Sequence, residues 1–161
     1  MLTFEVSKQI DISITNRWLH TVATAFAKEA KLKNKSYFSL AFVDNKTIKR
    51  LNKNYRGKDC VTDVLSFAED FKDFVDLPVD KKYLGEIVIS VPQAKKQAKD
   101  LGCSLKNEVA RLIIHGLSHL IGYDHEGTSQ KEADKMLSFE KKILIRLNIW
   151  DLFSFEEDVS V

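Results

Sequence analysis

Cysteine is scarce in this chain: two residues in 161, Cys60 and Cys103, with no C-x-x-C spacing. That excludes a disulfide scaffold and points to a reducing, cytoplasmic setting. Proline and glycine are sparse too, at two and six residues, and no Gly/Ser/Pro linker, repeat or low-complexity tract interrupts the sequence. One domain over residues 1–161 is expected, large enough to bury a proper core. No stretch approaches the length and apolarity of a membrane span. Met1-Leu-Thr-Phe-Glu-Val has no basic region followed by an apolar run, so no secretory signal is expected. A dominant charge is also missing: the net charge is +2, and 44% hydrophobic with 30% charged residues is ordinary for a soluble globular protein.

The charges are nevertheless unevenly placed. From Lys46 to Lys58 there are six basic residues (Lys46, Lys49, Arg50, Lys53, Arg56, Lys58) and no acid, a pattern that can attract a phosphate backbone. Lys95-Lys96-Gln-Ala-Lys99 reads as a solvated helix face, and an acidic tail from about residue 155 carries Glu156, Glu157 and Asp158.

Periodicity predicts strands at Leu2–Val6, Tyr37–Val43, Asp63–Phe67 and Glu86–Ser90. It predicts helices from Thr15 or Asn16 to about Lys33, and from an Asp44 cap to about Asn54. Three more open at a Ser90/Gln93 capping box with proline in its first turn, at Ser104, and at a Ser129/Glu132 capping box. Glu69–Lys82, polar and carrying Pro78, reads as an exposed loop or hairpin extension. The order is mixed without strict alternation, so the expected class is α+β, a single mixed sheet of about four strands packed with about five helices.

Three of the four histidines fall within eleven residues, in His115-Gly-Leu-Ser-His119-Leu-Ile-Gly122-Tyr-Asp-His125. The first two are four apart and share one helix face. Gly122 sits where a helix often ends in a left-handed residue, so the chain can turn and bring His125 back. Three converging imidazoles leave one tetrahedral position open, as a catalytic zinc requires. The two isolated cysteines argue against a closed structural site, and Asp124 is suited to orienting a ligand or binding a backbone amide. The spacing matches the metzincin protease pattern H-E-x-x-H-x-x-G-x-x-H, except that Gly116 stands where the catalytic glutamate would be. On the same helix Glu108, Arg111, His115, Ser118 and His119 form a polar stripe, while Val109, Leu112, Ile113, Leu120 and Ile121 cover much of the rest. A mostly apolar helix is buried, so its stripe must face a cleft or find partners. The metal site is therefore expected on a buried helix and the turn after it.

His115-Gly-x-x-His119-Leu-x-Gly122-Tyr-Asp-His125 resembles the signature of the YbeY family of bacterial metal-dependent endoribonucleases. Leu51-Asn-x-x-Tyr55-Arg56-x-Lys58-Asp59-x-x-Thr62-Asp63-Val64-Leu65-Ser66-Phe67 resembles that family too, as does Gly85-Glu-Ile-Val-Ile-Ser90. Three positions depart from its pattern: Glu86, where aspartate is more usual; Ser118, usually leucine; and Val61, commonly proline. The resemblance implies an α+β domain with one zinc ion in a basic groove, cleavage of single-stranded RNA, maturation of the 16S rRNA 3′ end, and a part in ribosome quality control. It implies RNA and small-subunit components as partners, with neither DNA nor a membrane.

On this reading His115, His119 and His125 are the metal ligands, and Arg56, His115 and His119 the catalytic residues. Lys58, Thr62 and Ser66 join Arg56 as substrate contacts. Arg56 suits a phosphate because guanidinium binds it bidentately; its bland reading is a surface salt bridge with an acid such as Asp59. Tyr55 and Tyr123 are candidates for base stacking or for core packing. His20 reads as a surface or packing residue, and nothing near Cys60 marks it as a nucleophile. Two other functions fit parts of the pattern: a metzincin-like metallopeptidase, opposed by Gly116, and a non-catalytic ribosome-assembly factor with a structural zinc.

Overall fold

The structure is a computed structural model that describes residues 1–69, 81–124 and 129–153. The elements run β1 (Leu2–Lys8), α1 (Asn16–Glu29), β2 (Ser36–Val43), α2 (Asn45–Arg56), β3 (Val64–Ala68), β4 (Lys82–Ser90), α3 (Val91–Leu101), α4 (Leu105–Leu120) and α5 (Gln130–Arg146), followed by a short 3-10 turn at Trp150–Phe153. The four strands form one mixed sheet in the order β1-β2-β4-β3. β1 and β4 flank β2 in parallel, and β3 is an antiparallel edge strand on β4. The fold is α+β, with a single four-stranded sheet and five α-helices among the described residues.

Side-chain alternation sorts the core into two layers. Phe38, Leu40 and Phe42 of β2 and Ile87 and Ile89 of β4 face the larger one, shared with α1, α4 and α5. Ala41, Val43, Leu65 and Val88 face the other way and meet Ile48 of α2. α4 belongs to the larger layer: Val109, Leu112, Ile113, Ile114 and Leu117 are all buried, as its composition predicts.

The caps fall where expected. Thr15, Asp44, Ser90, Ser104 and Ser129 each accept from a backbone amide in the first turn of the following helix. Ser90 departs from a full capping box. Its hydroxyl takes the Gln93 amide at 3.3 Å, but its own amide donates to the Asp63 carbonyl at 2.9 Å. The residue closes the β3–β4 ladder and opens α3 at once.

The bounds of β1, β2 and β3 shift by one or two residues, β1 reaching Lys8, and three other boundaries move as well. α1 stops at Glu29 rather than about Lys33, because Lys31 adopts φ 51° and the Leu32 amide turns back to the Ala27 carbonyl at 3.2 Å. A left-handed residue ends the helix without the usual glycine. α2 continues to Arg56 and ends at Gly57 with φ 68°. β4 begins at Lys82, so Lys82 to Gly85 are strand where loop or no element was expected. Residues 70–80 of the expected loop and the acidic tail lie outside the described residues.

Candidate functional site

α4 ends in a tight reversal. Gly122 has φ 108°, its amide bonds the His119 carbonyl at 3.0 Å, and the Tyr123 amide reaches the Ser118 carbonyl at 3.0 Å. These are the paired bonds of a Schellman cap, with glycine at the position that needs a positive φ. The cap also brings the Tyr123 carbonyl to Nδ1 of His119 at 2.9 Å. A carbonyl only accepts, so Nδ1 carries the proton and Nε2 keeps its lone pair.

His115 is oriented in the same sense from another helix. Its Nδ1 lies 2.9 Å from Oε1 of Glu140 on α5. With both Nδ1 atoms occupied, the two Nε2 atoms are left facing each other 3.2 Å apart. Two nitrogens each about 2.05 Å from a tetrahedral zinc are about 3.3 Å apart, so this spacing fits a shared cation. Carboxylate and carbonyl acceptors behind ligating imidazoles fix tautomer and ring orientation. His125, the third expected ligand, lies outside the described residues.

The pair opens into a cleft of about 700 Å³, walled on one side by α4 and on the other by the segment from Thr62 to Ser66, with Arg56 at its rim. Of the expected site residues, Arg56, Thr62, Ser66, His115 and His119 line this cleft together. Lys58 does not line it and is exposed on the loop after α2. That loop is held by buried Asn52, whose Nδ2 donates to the Cys60 carbonyl at 3.0 Å and whose own carbonyl accepts from the Lys58 amide at 3.3 Å. Asp59, weighed as a partner for Arg56, pairs with Lys53 at 3.8 Å. The other basic residues of α2 form an exposed helix face outside the cleft.

The polar stripe of α4 divides. Ser118 is fully buried and donates to the Ile114 carbonyl at 2.7 Å, so its hydroxyl serves the helix and not the cleft. Glu108 is also fully buried and takes Arg111 through both oxygens, at 2.6 and 3.0 Å. Burial opposes the Arg111 charge, but the bonds to Glu108 outweigh it and hold its pKa above the ordinary value. Arg111 also donates to Gln97 at 3.4 Å, and Gln97 to Asp63 at 3.1 Å. Asp63 in turn accepts the Val64 amide at 2.8 Å. A chain of polar groups, anchored on buried Glu108 and otherwise half-buried, thus fixes the start of β3 against α4.

Gly116 has a packing reason. A Cβ there would stand 3.1 Å from three carbons of the fully buried Ile87, so glycine lets α4 lie close on β4. Position 116 faces the sheet, where a glutamate side chain would press on Ile87.

The sequence reading missed Glu140, Gln97 and the Tyr123 carbonyl. Asp124 lines the cleft. Tyr55 is 70% exposed and packs edge-on against Phe67, away from the cleft lining. The Tyr123 ring stacks on Phe139 at 4.7 Å. Exposed His20 packs on Phe4, and burial pushes the Cys103 thiol up, away from reactivity.

Fold and site define an α+β domain in which a buried helix offers paired imidazoles to a cleft beside an edge strand. A family model, Endoribonuclease YbeY, matches residues 2–148, and the chain belongs to that family. It is 40% identical over 134 residues to the Endoribonuclease YbeY of Sulfurihydrogenibium sp. (strain YO3AOP1), covering 83% of this chain and 84% of that one. It is 38% identical over 157 residues to that of Syntrophomonas wolfei, covering 92% and 99%. Its backbone resembles the solution structure of TM1509 from Thermotoga maritima, with a TM-score of 0.58 and 20% identity over 98% of this chain and 99% of that one, a likeness of fold.

Proposed function

We propose that this protein is a zinc-dependent endoribonuclease of the cytoplasm, specific for single-stranded RNA, that matures the 3′ end of 16S rRNA and takes part in ribosome quality control. One observation carries the metal-dependent part: two imidazoles are turned by Glu140 and by the Tyr123 carbonyl so that their Nε2 atoms stand 3.2 Å apart in a cleft that also holds Arg56. Membership of a family named for endoribonuclease activity supports RNA as the substrate.

His115 and His119, with His125, would hold the ion. When bound, zinc supplies a Lewis acid and an activated water for phosphodiester hydrolysis. The chain's own residues do the rest. Arg56 pairs with a non-bridging phosphate oxygen and with the charge that grows there in the transition state. Glu140 and the Tyr123 carbonyl keep both rings in one tautomer through the reaction. Thr62 and Ser66, on the opposite wall, offer hydroxyls to phosphate or ribose.

A structural zinc in an assembly factor is the weaker reading. The paired histidines line an open cleft, whereas a structural ion is closed off by protein ligands. The peptidase reading is weaker still, because position 116 faces Ile87.

Replacement of the gene by a His119→Ala allele tests the proposal. Precursor 16S rRNA with unprocessed 3′ ends should accumulate while the mutant protein stays folded and abundant. Normal 3′ ends in that strain would overturn the rRNA assignment.

A further inference from the structure

The cleft wall opposite the histidines is an unpaired sheet edge. Among the described residues β3 pairs only with β4. The phase of that ladder follows from one bond, Ser90 N–H to the Asp63 carbonyl at 2.9 Å. Paired residues of an antiparallel ladder alternate between exchanging bonds and facing outward. With Asp63 opposite Ser90, the residues that bond β4 are Leu65 and Phe67, and those that turn their N–H and C=O away from it are Val64 and Ser66.

The outward groups reach the cleft. Leu65 lines it, yet the Leu65 side chain is buried in the layer beneath α2, so this residue meets the cleft through its main chain. The two outward amides differ. That of Val64 is taken by Asp63 Oδ1 at 2.8 Å. For the Ser66 amide no loop carbonyl or side chain among the described residues is an acceptor. An edge strand that keeps one amide for itself is a poor template for a peptide strand, which needs donors and acceptors in alternation. A lone N–H donor in the same cleft as Arg56 suits a single anionic oxygen instead.

We infer that the free main-chain edge of β3 is part of the substrate site, with the Ser66 amide donating to a phosphate oxygen of the RNA. This rests on the endoribonuclease reading and adds a contact that no side-chain motif reveals. The Ser66 amide is a positioning donor. It fixes the register of the phosphate backbone along β3, and because it is main chain it contacts phosphate without reading bases.

Ser66→Pro removes this donor and leaves the ladder bonds of Leu65 and Phe67 intact, proline being tolerated where an edge N–H faces away from the sheet. Ser66→Ala keeps the amide and removes only the hydroxyl. With a labelled single-stranded RNA, Ser66→Pro should lower kcat/KM by about ten- to a hundredfold relative to Ser66→Ala, as expected for one hydrogen bond to a charged group. Should the proline variant melt well below wild type, the wild-type chain decides: the Ser66 amide proton should move downfield when a 2′-O-methyl oligonucleotide is added.

Wild-type cleavage with equal rates in both variants, or an unmoved Ser66 amide, would overturn the inference and leave the nuclease reading standing. An amide that responds to an extended peptide and not to the oligonucleotide would make the edge a protein-docking strand. Absence of wild-type cleavage would count against the nuclease reading itself, while the amide shift would still test whether the edge holds a phosphate backbone.

Discussion

His115 and Glu140 are 25 residues apart in sequence and on different helices, yet Nδ1 of the one lies 2.9 Å from Oε1 of the other. Removing such a partner costs on the order of ten- to a hundredfold in metal affinity. Glu140→Ala is therefore predicted to weaken zinc binding by about that factor with little change in secondary structure, measured by competition with a chromophoric chelator. Glu140→Gln, which retains an acceptor oxygen, should lose less. Unchanged affinity in the alanine variant would remove Glu140 from the site.

Gly116 and Ile87 define a second test. An added Cβ at 3.1 Å from a fully buried side chain overpacks the α4–β4 contact. Overpacking costs about 1–3 kcal/mol, and a long acidic side chain against apolar carbons costs more. Gly116→Glu should lower the melting temperature by several degrees or more and give no peptidase activity. A stable Gly116→Glu protein that hydrolyses peptides would revive the protease reading.

In the Glu108–Arg111 pair Arg111 lines the cleft and Glu108 lies fully buried behind it. Glu108→Ala leaves a largely buried guanidinium without its carboxylate, a loss of about 3–5 kcal/mol. Urea denaturation should show this as a lower midpoint with an unchanged slope. A loss below about 1 kcal/mol would mean that Arg111 turns out to solvent at little cost.

Asp44 gives a pH signature. The Thr47 amide, bonded at 2.8 Å, holds its carboxyl below the ordinary 3.8. A carboxylate with a lowered pKa stabilises the fold fully above its unfolded value, and that contribution disappears as pH falls through the lowered one. Asp44→Asn keeps a cap but not the titration. The gap in melting temperature between wild type and Asp44→Asn should be constant above about pH 5 and shift in favour of the variant below pH 4. A gap that does not change with pH would show that the cap's charge is irrelevant.

Local features were legible because local physics makes them. The spacing of Val109, Leu112, Ile113, His115 and His119 gives α4 its two faces, and five side-chain caps mark the helix starts. The turn at Gly122 was visible because only glycine readily takes its φ. Lys31 in the same kind of conformation carries no such mark, and the apolar spacing alone continues α1 past its true end. The first half of β4 was missed because Lys82, Tyr83 and Gly85 break any simple alternation. Gly85, moreover, sits where a Cβ would collide with the Phe67 carbonyl, a requirement set by the neighbouring strand.

Contacts across the fold left no trace in spacing. Glu140 fits its own helix as an ordinary polar position, and nothing at residue 140 says that His115 is its partner. The stripe on α4 was read correctly as polar but not divided, because what takes Ser118 and Glu108 out of the cleft is the packing around them. Thr62 and Ser66 pointed to the cleft's second wall, but that β3 is a free sheet edge follows only from the strand order.

The most direct test follows a labelled single-stranded RNA incubated with highly purified protein, with and without a chelator and zinc add-back, beside identically purified His115→Ala. Wild type should cleave the RNA, stop on chelation and resume with zinc, and a folded His115→Ala should not cleave it. Cleavage that ignores the chelator and persists equally in the mutant would contradict the zinc-dependent reading.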